Sequence, residues 1–193
     1  AEPGGPPAAR ARQGRTAPEG ERARQSVPEA RHSRARQRVA RSGGGGPYSM
    51  LMHSPAMAQY FAATEDYFRN ESLLPDADRE IMILAAAREL EARYAWCRHE
   101  IRAQKLGVDP KIIEALRAKA PIDDFTGRER LLIEFTRTLV HDHTVPEPLF
   151  ARMASEFGRA KFIEAVGLLG HYMTIGTVIR LFDVEPPEGT KTF

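Results

Sequence analysis

Two residues of this chain, Glu80 and His99, have side chains suited to proton transfer, and both lie in EIMILAAARELEARYAWCRH, residues 80–99. Glu80 shares a helical face with Ile83 and Leu84, so we expect it on the buried side of a helix. A carboxylate that is partly withdrawn from water suits general acid–base work. Acidic side chains also favour the first turn of a helix because of its dipole, so a purely structural Glu80 is the alternative.

His99 follows Trp96 by three residues, which predicts that both share one face of a second helix. His171 lies in an apolar helical run next to small residues that let another helix approach closely. We therefore predict a substrate pocket shaped by Tyr94, Trp96 and His171 around the catalytic pair Glu80 and His99. A histidine that only hydrogen-bonds in the core is the alternative for both imidazoles.

The spacing of the pair sets a geometric condition. Glu80 lies twelve residues before Ala92, where we place the turn between the two helices, and His99 lies seven after it. In simple antiparallel helices the two residues would therefore lie at different distances from the turn, about 7–8 Å apart along the helix axes. A direct hydrogen bond therefore requires an irregular connection or helices that cross at an angle; otherwise a water or substrate lies between them.

Cys97 is the only cysteine of the chain. It lies two residues from His99, about 200° around a helix, so a Cys–His nucleophilic pair is not expected. With Tyr94 and Ile101 it forms an i, i+3, i+7 stripe, which favours a buried small hydrophobe, with a redox thiol as the alternative. A single thiol makes no intramolecular disulfide, so a reducing, cytoplasmic location is predicted.

His141 and His143 are spaced like alternate ligands in the loop HDHTVPEP, residues 141–148. We interpret them as a polar helix end, because nothing nearby completes a convincing ligand set. The sequence therefore predicts neither a metal site nor a cofactor.

Apolar residues at helical spacing predict an all-α fold, a single domain of about seven helices over residues 48–188. Pro55 and Pro110 mark helix starts, Gly107 and Gly158 mark helix ends, and Thr126 with Glu129 has capping-box spacing. The predicted helices cover residues 55–68, 77–90, 93–106, 110–119, 126–140, 149–157 and 161–182. Residues 189–193 are expected to be frayed.

Composition separates the N-terminal segment from this domain. Residues 1–47 contain ten Arg, four Glu and no Lys or Asp, a net charge of +6, which leaves 18 basic and 22 acidic residues in the remainder. Few apolar side chains occur in the segment, which predicts a disordered tail with GGGG at 43–46 as a hinge. The body is mildly acidic, so no nucleic acid is expected. Charges within 162–182 argue against a membrane span.

The segment REIMILAAARELEARYAWCRHEIRAQKLGVDPKIIEAL, residues 79–116, resembles the core motif of the carboxymuconolactone decarboxylase-like superfamily, which includes the alkylhydroperoxidase D proteins. The resemblance extends over about residues 48–188. It implies an all-helical fold that assembles as homo-oligomers, trimers or hexamers. The peroxidase branch uses a Cys-x-x-Cys pair, an upstream Glu and a downstream His. Placing these on Glu80 and His99 puts the two cysteines on Ala92 and Ala95, so the pair is missing.

Three hypotheses of function follow. The first is an acid–base enzyme of decarboxylase or lyase type, which acts on a small organic acid or lactone through Glu80 and His99. The second is a non-catalytic helical oligomer that binds a ligand or partner. The third is peroxidase-like antioxidant chemistry, with Cys97 as a single thiol resolved by an external thiol. A shared pocket for Glu80 and His99 favours the first hypothesis, and the same residues locked in internal salt bridges favour the second. An exposed Cys97 near a cation favours the third.

Overall fold

The computed structural model describes residues 45–125 and 127–193, and all regular structure within these ranges is helical. The seven helices there are α1 (Pro47–Leu51), α2 (Pro55–Asn70), α3 (Asp76–Glu89), α4 (Arg93–Lys105), α5 (Pro110–Arg117), α6 (Gly127–Asp142) and α7 (Glu147–Leu181). The predicted all-α fold of about seven helices is confirmed. The tail predicted for residues 1–47 falls, up to residue 44, outside the described residues, as does the predicted cap residue Thr126.

Helix α3 is the centre of the domain. Its residues are buried without interruption from Asp78 to Ala87, and it packs against α4, α5, α6 and α7. A helix that is covered on all sides must be apolar or small nearly all round, and the Ala run at 85–87 provides this while letting neighbouring helices approach. Because Glu80 lies near the start of this buried helix, it lies in the interior of the domain.

The connection from α3 to α4 is irregular. Glu91 has a left-handed backbone (φ 56°), and the Ala92 N–H donates to the Ala87 carbonyl at 2.8 Å. This is a Schellman motif, in which glycine is the usual left-handed residue. Helix α4 ends in the same way at Gly107 (φ 76°), which confirms the predicted C-cap.

The starts of α2 and α5 are also as predicted, although they are capped differently. Asp109 accepts a hydrogen bond from the Lys111 N–H at 2.8 Å, so its side chain caps α5. Ser54 makes no such side-chain bond, and α2 begins at Pro55 without a hydroxyl cap.

Helix α7 supplies the wall opposite α3 and α4. Gly158 (φ 66°, ψ 168°) interrupts it at the predicted helix end. Among the described residues α7 is the one helix long and apolar enough to cross a membrane by length and composition. Half of its most apolar window is buried inside the protein, and the core helix of a globular protein has this same character.

The last residues of the chain differ from the predicted fraying. The Cys97 thiol donates to the Lys191 carbonyl at 3.3 Å, and Arg117 donates to the Thr192 carbonyl at 3.0 Å. The Phe193 ring lies edge-on to Trp96, with centroids 5.5 Å apart. These contacts join residues 75 to 97 positions apart in sequence, so no local sequence pattern predicts them.

Candidate functional site

Glu80 and His99 form a direct hydrogen bond. Glu80 Oε2 lies 2.6 Å from His99 Nδ1, and both residues are buried. Because an ionised carboxylate only accepts hydrogen bonds, Nδ1–H is the donor, and this fixes the ring orientation. The predicted pair is thus brought together across the α3–α4 connection. The irregular backbone at Glu91 meets the condition that the sequence spacing sets for a direct bond.

Tyr172 of α7 extends the pair to a chain of three groups. Its hydroxyl lies 3.0 Å from His99 Nε2, and the two rings meet edge to face with centroids 5.2 Å apart. Burial raises the pKa of the Tyr172 phenol well above its ordinary value, and the negative charges of Glu65 and Glu80 act in the same direction. The phenol therefore stays protonated, and it is the donor to Nε2 whenever that nitrogen carries no proton.

Two adjoining cavities open onto this chain. The dyad cavity, about 240 Å³, is lined by Glu80 and His99. The Tyr94 cavity, about 440 Å³, is lined by Tyr94 and also reaches His99. Six residues line both cavities: Glu65, Arg69, His99, Arg102, His171 and Tyr172. A small molecule in either space can therefore meet the His99–Tyr172 end of the chain.

His171 is a neutral wall of both cavities. Its ring packs against Phe61 and Phe68, with centroids 5.6 Å and 6.3 Å away. Burial lowers its pKa to about 4, although Glu65 acts in the opposite direction, and a proton on His99 would act in the same direction as burial. His171 therefore shapes the pocket, as predicted from its place in the apolar helix, without adding charge near neutral pH.

Tyr94 lines the larger cavity, where it is held by the segment before α1. Gly46 (φ 64°) packs so closely on the Tyr94 ring that a side chain at this position would collide with it. The last glycine of the predicted hinge is therefore a packing position, since only glycine combines this backbone conformation with that close approach.

Trp96 does not reach either cavity, although we predicted it as a pocket wall. Its indole is fully buried, donates from Nε1 to Glu100 at 2.9 Å, and is covered by Phe193 and the Arg117 guanidinium. Residues three apart on a helix differ by about 60° in direction, and this lets His99 face α7 while Trp96 faces the chain end.

Cys97 is also remote from the cavities. The thiol is buried and bonded to the Lys191 carbonyl, as expected of a small core residue. The exposure that a reactive thiol needs is not met.

Arg102 was not predicted as a site residue, yet it lines both cavities one turn beyond His99. Burial lowers the pKa of its guanidinium, and Arg69 acts in the same direction. An arginine nevertheless keeps its charge in proteins, so Arg102 brings a positive charge to the cavity. The spacing of three residues from His99 is the signal that could have found it.

The loop histidines do not complete a metal site. In the described part of the chain no group of three or more His, Cys, Asp or Glu side chains is arranged to hold a metal ion. His141 Nε2 lies 2.9 Å from Glu89 Oε2, and Lys119 and Arg137 contact the same carboxylate. This cluster ties the end of α6 to the end of α3.

Comparison with known proteins adds no family to these observations. No model of a known protein family matches the chain, and no curated protein matches it.

Proposed function

We propose that this protein is an acid–base enzyme of decarboxylase or lyase type, acting on a small organic acid or lactone, as its resemblance to the carboxymuconolactone decarboxylase-like superfamily implies. The observation that carries the proposal is the hydrogen-bonded chain of Glu80, His99 and Tyr172 facing a cavity of about 240 Å³. A space of this size lies below the usual range of ligand pockets, which favours a small substrate.

Each member of the chain has a role in a decarboxylation. The bond between the leaving carboxylate and its neighbouring carbon breaks, CO₂ departs, and the electron pair moves into an adjacent carbonyl to give an enolate. His99 takes a proton from solvent at Nε2, which frees the Tyr172 O–H to donate to the enolate oxygen, where charge develops. His99 then gives this proton to the enolate carbon, and Glu80 stabilises the imidazolium in between.

A binding module without catalysis is the second candidate. The pair is bonded internally, which a structural role also explains, and removing either partner from a buried pair destabilises a fold. The acid–base proposal is favoured because His99 and Tyr172 both line the two cavities. The thiol hypothesis has less support, since Cys97 lines neither cavity.

Assembly into homo-oligomers, trimers or hexamers, is part of the proposal. Ile163 and Val166 lie one turn apart on α7, Leu181 lies further along the same helix, and all three side chains are exposed. We propose that these apolar side chains contact a neighbouring subunit.

The test uses Glu80→Gln, His99→Gln and the double variant, with Glu134→Gln on α6 as a control. CO₂ release is measured over a panel of small 3-oxo acids and carboxylated lactones. We expect each single variant to keep its circular dichroism spectrum and to lose roughly 10²–10⁴ in turnover. The double variant should be scarcely worse, because residues that act as a unit are not additive.

Full activity in both single variants, together with a lower melting temperature, would make the pair structural. Turnover of no member of the panel by the wild-type protein would also count against the enzyme and for the binding module. In either case the hydrogen-bonded chain would be an element of the fold.

A further inference from the structure

The charges that line the dyad cavity do not balance. Two of its arginines are neutralised by neighbouring carboxylates: Arg69 lies 2.5 Å from Glu65, and Arg79 lies 2.8 Å from Asp76. The third carboxylate of the cavity, Glu80, is bonded to His99. Every acidic side chain that lines this space therefore has a basic partner within hydrogen-bond distance, and Glu80 keeps its negative charge when His99 is neutral.

The two other cations that line this cavity, Arg102 and Lys105, are not paired with any of these carboxylates. Within residues 45–125 and 127–193 neither side chain makes a hydrogen bond or an ion pair. Lys105 is exposed and can be solvated by water, but Arg102 is half-buried. Burying a guanidinium without a hydrogen-bond partner costs free energy that the charges of Glu80 and Glu65 offset only in part. An anion bound in the cavity would recover it.

Arg102 lies one turn beyond His99 on α4, with their Cβ atoms about 5–6 Å apart. Lys105 lies one turn beyond Arg102 and about 120° around the helix from His99. A ligand of a few carbon atoms spans this distance. Its anionic end would meet Arg102 while its other end meets the His99–Tyr172 chain.

We propose that Arg102, assisted by Lys105 at its flank, is the carboxylate-binding subsite of the dyad cavity, and that the ligand is a small organic acid held by a carboxylate that stays intact. The planar guanidinium fork matches a carboxylate with two parallel hydrogen bonds. The subsite rests on the proposed function for what happens at His99, but anion binding itself does not depend on that chemistry.

The experiment measures binding by heteronuclear NMR on the ¹⁵N-labelled full chain. Succinate is the probe, succinamide is its uncharged counterpart, and inorganic phosphate is the competing anion. The variants are Arg102→Gln, Arg102→Lys and Lys105→Gln. Arg93→Gln is the matched control, since it removes the same charge from the same helix outside both cavities.

We expect succinate to shift the amides around His99 and Arg102, and succinamide to leave them in place. Arg102→Gln should weaken succinate about tenfold to a hundredfold, the worth of a charge-assisted hydrogen bond. Arg102→Lys should recover part of the affinity, Lys105→Gln should have a smaller effect, and Arg93→Gln none.

Equal succinate affinity in wild type and Arg102→Gln would overturn the subsite, as would no binding to the wild type. Phosphate that binds more tightly than succinate would overturn the assignment to carboxylic acids. Glu80→Gln and His99→Gln separate the two proposals. If both keep their activity while Arg102→Gln loses succinate, the chemistry proposed for His99 fails and the subsite stands.

Discussion

Acid should weaken the fold through His171. The imidazole is 7% exposed and lies among the rings of Phe61 and Phe68, so the folded protein resists its protonation. Burial is the main cause that lowers its pKa from 6.5 to about 4. The charged or polar groups that face it are Glu65 on α2, His99 on α4 and the neighbouring Tyr172.

The sign of the change in stability follows from comparing proton uptake by His171 in the folded and unfolded chains. Above pH 6.5 the imidazole of His171 is neutral in both, so its titration contributes nothing. As the pH falls from 6.5 towards 4, the unfolded chain takes up a proton that the folded chain does not, and the free energy of unfolding falls. Between pH 7 and pH 5 the loss is about 2 kcal/mol, and below pH 4 it no longer grows.

The assay is urea unfolding at pH 7 and pH 5 for the wild type and His171→Phe. A phenyl ring fills the same space and has no proton to gain, so other titrating groups cancel in the difference between the two proteins. We expect the free energy of unfolding of His171→Phe, relative to that of the wild type, to be about 2 kcal/mol higher at pH 5 than at pH 7. His171→Gln should show the same movement, whereas His53→Phe, at an exposed position before α2, controls for the loss of an imidazole elsewhere.

A difference that stays constant between the two pH values would refute the reasoning. It would mean that His171 is protonated as easily in the folded protein as in the unfolded chain. The ring would then be open to water or paired with an acid, and could not serve as a neutral wall of the cavities.

Three further predictions concern the core, the packing of α7 and assembly. Cys97→Ser should leave any turnover intact in a steady-state assay, because the thiol lines neither cavity; loss of peroxide consumption in this variant would restore the redox hypothesis. Gly176→Ala should cost about 1–3 kcal/mol in urea unfolding, since its new Cβ would lie 2.7 Å and 3.2 Å from Leu90 atoms, whereas Gly170→Ala has open space and should be neutral or stabilising. Light scattering should give at least twice the 21.6 kDa mass of one chain, and Ile163→Glu on the exposed face of α7 should reduce it; a wild-type monomer at micromolar concentration would contradict assembly.

Local signals were sufficient for most of the fold. Gly107, Gly158 and the Asp109-Pro110 step act within a few residues of themselves, so their helix boundaries could be predicted from the sequence. The short helix α1 could not, because five residues give no periodicity to detect.

The site could be predicted only in part. Glu80 and His99 carry chemically distinctive groups within one segment. Their spacing also predicted that a direct hydrogen bond needs an irregular connection or helices that cross at an angle. Tyr172 was missed because it is one of many apolar-face residues in α7, and the sequence does not say which side of that helix turns to α4. Trp96 was misplaced for the same reason, since its direction depends on contacts with Phe193 that are remote in sequence.

The packing of Phe193 on Trp96 has an optical consequence. Trp96 is the only tryptophan of the chain, so all indole fluorescence comes from one ring enclosed by Phe193, Arg117 and Glu100. Its emission reports whether residues 191–193 are seated on α4, and release of that segment would shift the spectrum to longer wavelength by admitting water to the indole. Ligands in the dyad cavity do not contact the ring, so they should leave its emission nearly unchanged.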